Sequence, residues 1–202
     1  MERSDTPTRL RVAATRLYSS AGVGATSVRA IIREAGVNLN ALHYHFGSKS
    51  ALTRVVFEHV MEPFRQERLT LLGRLGPNAG VRQGVEALYW PLFRRAARAP
   101  GSSARRGLSI VAQIRKDPAP DSVAILEAHE EAFLPVLEAH LRPVLGVSAD
   151  RLQTPLRFIE SAAWDLVSQP QTIASIQADD PDLSQTFREF VRFAESGLEG
   201  IR

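Results

Sequence analysis

Apolar residues recur along this chain at intervals of three and four, and no run shows the strict alternation of a half-buried strand. That periodicity predicts an all-α fold. Leu10, Ala13, Ala14 and Leu17 stand at i, i+3, i+4 and i+7. Asp5-Thr6-Pro7 precedes them as an N-cap and first-turn proline, and Gly22 follows as a stop, so a helix is expected over about 7–21. The segment TSVRAIIREAG predicts a second helix of about two turns, capped by Ser27 and ended by a left-handed Gly36. Asn38 caps a third short helix that ends near His45, and Ser48 caps a long fourth one over roughly 49–72. Inside that fourth helix Pro63 removes one backbone donor, and a kink is expected there. Beyond it, the breaks GPNAG, APGSS, KDPAPDS, GVSAD and QPQT separate helices expected at about 79–98, 103–116, 121–144, 149–168 and 182–199, with a short one near 172–178.

Composition narrows the classes of function. Cysteine is absent, which removes disulfides, a thiolate nucleophile and any Cys-ligated metal. No apolar run approaches the roughly 20 residues of a membrane span, and MERSDTPTRLRVAATRL lacks the apolar core of a signal peptide. The expectation is a cytoplasmic protein without membrane contact. The formal charge of +3 is unevenly spread. Residues 1–56 hold eight basic and three acidic side chains, a net of +5, whereas the remainder holds seventeen basic and nineteen acidic ones. A basic N-terminal quarter suits an anionic partner at that end; the bland alternative is chance on an arginine-rich chain.

The segment AGVNLNALHYHFGSKSAL, residues 35–52, concentrates the chemistry. His43 and His45 are two positions apart, so on a helix they point about 200° apart and cannot share a metal ion. Neither has a nucleophile or an orienting carboxylate within the segment, so no catalytic site and no metal site is expected. Two short helices joined at a glycine form the pattern of a helix-turn-helix, whose second helix enters the DNA major groove. Leu39, Leu42 and Phe46 would hold that helix to its own domain, leaving Asn38, Asn40, Ala41, His43 and Tyr44 outward. Asn40 could bond an adenine edge, and Ala41 could meet a thymine methyl. The polar ends of His43, Tyr44 and His45, followed by Lys49, suit phosphate contacts. The competing reading is a plain aromatic core cluster.

At these residues a resemblance appears. RVAATRLYSSAG, TSVRAI, AGVN and above all HYHFGSKSAL are similar, in order and spacing, to the DNA-binding domain of the TetR family of bacterial transcriptional regulators. The stretch from Gly36 to Phe64 also resembles fatty-acid-responsive members. The resemblance implies a three-helix DNA-binding domain at 1–56 and a helical ligand-binding and dimerisation domain at 57–202. It implies that Thr26, Ser27 and Arg29 meet the DNA backbone, that Lys49 and His45 hold phosphates, and that residues 38–44 face bases. It further implies a homodimer on a palindromic operator, a repressor released by a small and largely apolar effector, and residence in the bacterial cytoplasm, on the nucleoid when bound. No cofactor is expected. His43 stands where the family usually has tyrosine, and Asn40 where it usually has a small residue.

Two C-terminal stripes are candidates for the dimer interface: Ile159, Ala163 and Leu166 on one helix, and Phe187, Phe190, Val191 and Ala194 on the last. Each stripe serves equally as intramolecular core. Trp90, Phe93, Phe133, Phe158 and Trp164 are candidate pocket aromatics, with Arg115 and His129 as polar groups to orient a ligand. The run Arg94, Arg95, Arg98, Arg105 and Arg106 reads either as a receptor for a carboxylate or phosphate or as a solvated basic face. The alternative function is a helical small-molecule-binding protein or enzyme with a regulator's N-terminus. No paired carboxylates, nucleophile triad or phosphate-cradling glycine loop supports an enzyme.

Overall fold

The computed structural model describes residues 5–76, 78–99, 101–117, 119–169, 172–174, 176 and 185–201, without the side chains of residues 130, 132–134, 136 and 137. The expectation for Phe133 falls outside the described residues, as does much of the short helix near 172–178, of which Thr172, Ile173, Ala174 and Ile176 are helical. The elements are α1 (Thr6–Ala21), α2 (Val28–Ala35), α3 (Leu39–Phe46), α4 (Lys49–Gly73), α5 (Val81–Ala96), α6 (Ser103–Lys116), α7 (Pro120–Leu145), α8 (Ala149–Ser168) and α9 (Gln185–Glu199). No strand occurs among the described residues. α4 runs on through Pro63, which costs it one backbone bond without ending it.

The chain divides into two compact units. The first comprises Met1–Glu62 with Arg106–Glu127, and the second comprises Pro63–Arg105 with Ala128–Arg202.

In the first unit the core is built from Leu10, Ala14 and Tyr18 of α1, Ile31 of α2, Leu42 of α3 and Leu52, Val56 and Phe57 of α4, all fully buried. The Tyr18 hydroxyl lies 2.9 Å from Thr53 Oγ1, which donates to the Lys49 carbonyl at 2.9 Å. Burial raises the Tyr18 pKa and keeps that phenol neutral. α6 adds Ile110, Val111 and Ile114 to the buried set. Gly107 of α6 stands so close to α4 that a Cβ there would lie 2.8 Å from Val60 Cγ1.

In the second unit α9 packs on α5 and α8. Tyr89 and Phe190 meet edge to face at 5.0 Å, and Phe93 lies 5.0 Å from Phe187 and 5.2 Å from Phe190. Such pairs contribute about 0.5–1.5 kcal/mol each beyond area burial. This packing corrects the expectation of a dimer interface: Ile159, Ala163, Phe187, Phe190, Val191 and Ala194 are buried within a single chain, and Leu166 is half-buried. The stripe of α9 is core because α5 supplies it with aromatic partners.

Arg68 is fully buried in the same unit, forked onto Glu160 with Nη2 to Oε2 at 2.9 Å and Nη1 to Oε1 at 3.3 Å. Trp164 Nε1 donates to Glu160 Oε1 at 3.0 Å. The guanidinium lies 4.8 Å from the Phe64 ring and 5.2 Å from that of Tyr89. The basic run is engaged in a different way: Arg94 and Arg95 pair with Glu67, and Arg105 Nη1 donates to the Ala96 carbonyl at 3.0 Å.

Candidate nucleic-acid interface

Local capping sets the geometry of α2 and α3. Ser27 Oγ accepts from the Ala30 N–H at 3.1 Å, and Asn38 Oδ1 accepts from the Ala41 N–H at 2.9 Å. Between the helices Gly36 adopts φ 63 and ψ 41. Its N–H donates to the Arg33 carbonyl at 3.2 Å while the Val37 N–H reaches the Ile32 carbonyl at 3.0 Å, a Schellman closure. From α1, Arg9 Nη2 donates to the Gly36 carbonyl at 2.8 Å, and Arg16 pairs with Glu34 at 3.0 Å. Two arginines of α1 thus tie the end of α2 and the turn in place.

On this frame α3 presents Asn38, Asn40, His43, Tyr44 and His45 to solvent, with Ala41 half-buried between them. Tyr44 is 85% exposed, and its ring meets His45 edge to face at 4.9 Å. The Asn40 side chain makes no hydrogen bond among the described residues, so its amide is uncommitted. Asn38 spends its carbonyl oxygen on the cap and retains its NH2. His43 Nδ1 donates to the Gly47 carbonyl at 3.0 Å, which leaves Nε2 outward. Ser27 and Arg29 are exposed at the start of α2.

Three expectations change. Leu39 is 45% exposed, so Leu42 and the half-buried Phe46 hold α3 to its domain; Leu39 is the first residue after the cap, where the chain has not yet turned inward. Thr26 is 3% exposed and its hydroxyl donates to the Gly22 carbonyl at 2.6 Å, which makes it a loop staple with no surface for a phosphate. Lys49 Nζ donates to the Val23 carbonyl at 2.7 Å. Burial lowers the Lys49 pKa, opposed by the Asp117 carboxylate. Lys49 therefore braces the loop before α2.

Among the described residues, those expected to form a pocket stand in different surroundings. Phe158 is 69% exposed on α8, Phe93 is buried against α9, Trp164 holds Glu160, Arg115 is half-buried in the first unit and His129 half-buried in the second. Trp90 lines a cavity of about 570 Å³ in the second unit, beside Arg74, Arg82, Glu86, Phe187 and Arg188. Sequence reasoning missed these partners. One signal was available: Arg82, Glu86 and Trp90 stand at i, i+4 and i+8, on one face of α5.

Two capped short helices, a glycine-closed turn and an exposed polar second helix define a helix-turn-helix DNA-binding domain on a helical body. Residues 10–56 match the family described as bacterial regulatory proteins, tetR family. The whole chain has the fold of TetR-family transcription regulators. It is similar to a tetR family transcription regulator from Shewanella sp. PV-4 at 16% identity over 94% of this chain and 98% of that one, with a TM-score of 0.72. It is similar to SCO4454, a TetR-family transcriptional regulator from Streptomyces coelicolor, at 24% identity over 97% of this chain and 93% of that one, with a TM-score of 0.59. GusR of Salmonella enterica is 16% identical over 97% of this chain and 94% of that one, with a TM-score of 0.67. No curated protein matches the sequence. No helix among the described residues is long and apolar enough to cross a membrane, and no group of His, Asp and Glu among them is arranged to hold a metal ion.

Proposed function

We propose that this chain is a ligand-responsive transcriptional repressor that binds a palindromic operator as a homodimer and is released by a small, largely apolar effector. Residues 1–56 read the DNA, and residues 57–202 bind the effector and dimerise. The observation that carries the reading is the outward face of α3: Asn40, His43 Nε2 and Tyr44 stand exposed on a helix whose caps and turn are otherwise fully bonded. Side chains committed to nothing within the fold are available to base edges. Ser27, Arg29 and His45 serve the phosphates at either side. Lys49 acts through the loop it braces.

For the homodimer, two exposed aromatic side chains outside the buried stripes support an interface on α8 and α9. Phe158 is 69% and Phe193 61% exposed on two helices that pack against each other. Exposed aromatic side chains on neighbouring helices suit a second copy of the chain. A dimer supplies the two heads that half-sites about one DNA turn apart require. Release demands that the effector prefer the conformation that does not bind DNA, since equal affinity for both would shift nothing.

The decisive test is a footprint on the DNA upstream of the protein's own gene. A protected inverted repeat is expected, with Asn40→Ala relaxing preference at one base pair of each half by about 1–3 kcal/mol. Absence of any sequence-preferring protection there and across a genomic fragment pool would end the reading.

A further inference from the structure

We infer that the second unit holds an organic carboxylate on an aromatic body, in the cavity lined by the C-terminal end of α4, by α5 as far as Trp90 and by α9 as far as Val191. This deepens the proposed function by giving the effector a chemical class; the binding itself is independent of that reading, and only the effect on DNA rests on it. The cavity measures about 570 Å³, within the span of roughly 300–1,000 Å³ usual for small-molecule sites.

The lining combines an apolar, aromatic part with a cationic one. Trp90 and Phe187 line it with ring centroids 5.2 Å apart, backed by Leu71 and Val191. The same lining includes three arginines, Arg74, Arg82 and Arg188, against the single acid Glu86. Arg82 is already committed, to Glu86 at 3.2 Å and to Glu195 at 3.0 Å. Arg74 and Arg188 are exposed and make no ion pair among the described residues. The cavity therefore carries two uncompensated guanidinium groups beside an aromatic surface. A cation is disfavoured there, and a neutral apolar ligand would shield two charges from water without pairing them. A carboxylate instead accepts the planar forks that arginine offers, while a flat body covers Trp90 and Phe187.

The test uses the full-length protein with biphenyl carboxylate and with the uncharged carboxamide of the same shape, followed by titration calorimetry. The acid is expected to bind once per chain. Arg74→Gln and Arg188→Gln are each expected to weaken it by roughly tenfold or more, the equivalent of one charge-assisted hydrogen bond. The carboxamide should lose at least as much on the unaltered protein. Arg192→Gln, an exposed arginine of α9 outside the cavity, should change nothing. Equal binding of acid and amide, insensitivity to both cavity arginines, or an equal loss in Arg192→Gln would each overturn the site. A gel shift with operator DNA separates the two readings: binding that follows the arginines while the DNA complex persists supports the site and overturns release by this class of ligand.

Discussion

At the scale of single residues, the DNA-reading head depends on a contact between a side chain and a glycine. Arg9 Nη2 lies 2.8 Å from where a Gly36 Cβ would stand, and it bonds the Gly36 carbonyl. Gly36→Ala adds a left-handed penalty of roughly 1–2 kcal/mol and pushes on the guanidinium. Arg9→Ala removes the hydrogen bond at a cost of about 1 kcal/mol. In a double-mutant cycle of urea unfolding, the alanine at 36 should cost less, by about 0.5 kcal/mol, once Arg9 is truncated. Strict additivity would mean the two do not act together. Tyr44→Ala separates folding from reading: at 85% exposure it should leave stability within about 0.5 kcal/mol while weakening operator binding. Lys49 invites the opposite result. Because its ammonium is bonded to Val23, Lys49→Ala should lower the melting temperature and leave the salt dependence of DNA affinity nearly unaltered. A clearly shallower salt slope would instead restore it as a phosphate ligand.

At the scale of elements, helix ends were readable because caps are local. Asp5, Ser27, Asn38 and Ser48 each accept the backbone N–H three residues on, and Gly22, Gly36 and Gly47 each take positive φ. The observed helices therefore start and stop within a few residues of expectation. Which way a helix faces was less legible. The apolar stripes of α8 and α9 have the same spacing whether they meet α5 or a second chain, and only the position of α5 decides. Thr26 and Lys49 find their partners in carbonyl groups of a loop, which a pattern of side chains does not reveal. The cavity escaped because its lining comes from α4, α5 and α9, segments more than a hundred residues apart at the extremes. Close approach of elements gives a further prediction. Gly107→Ala should cost about 1–3 kcal/mol by overpacking against Val60, and Val60→Ala should recover part of that loss in thermal melts. Likewise Glu160→Leu, which leaves the buried Arg68 guanidinium without its carboxylate, should destabilise by about 3–5 kcal/mol, and pairing it with Arg68→Met should return most of the loss.

At the scale of the molecule, the proposed assembly is checked by its mass in solution. Phe193→Glu should convert a dimer to a monomer of unchanged helix content and cost operator affinity, whereas a variant that stays dimeric would place the interface elsewhere. One topological fact reaches further. The first unit is not a single run of chain: Met1–Glu62 is completed by Arg106–Glu127, which brings Gln113 against Gly22 and Gly107 against Val60. On the ribosome, everything from 63 to 105 must emerge before the reading head can close over its core, so the nascent head waits, partly uncovered, for its own later sequence. An isolated 1–62 fragment should accordingly be loosely folded, and a synthetic 106–127 peptide added in trans should raise its helicity and cooperativity. The part of the protein that meets DNA is thus finished by residues made after the long helix that leads away from it.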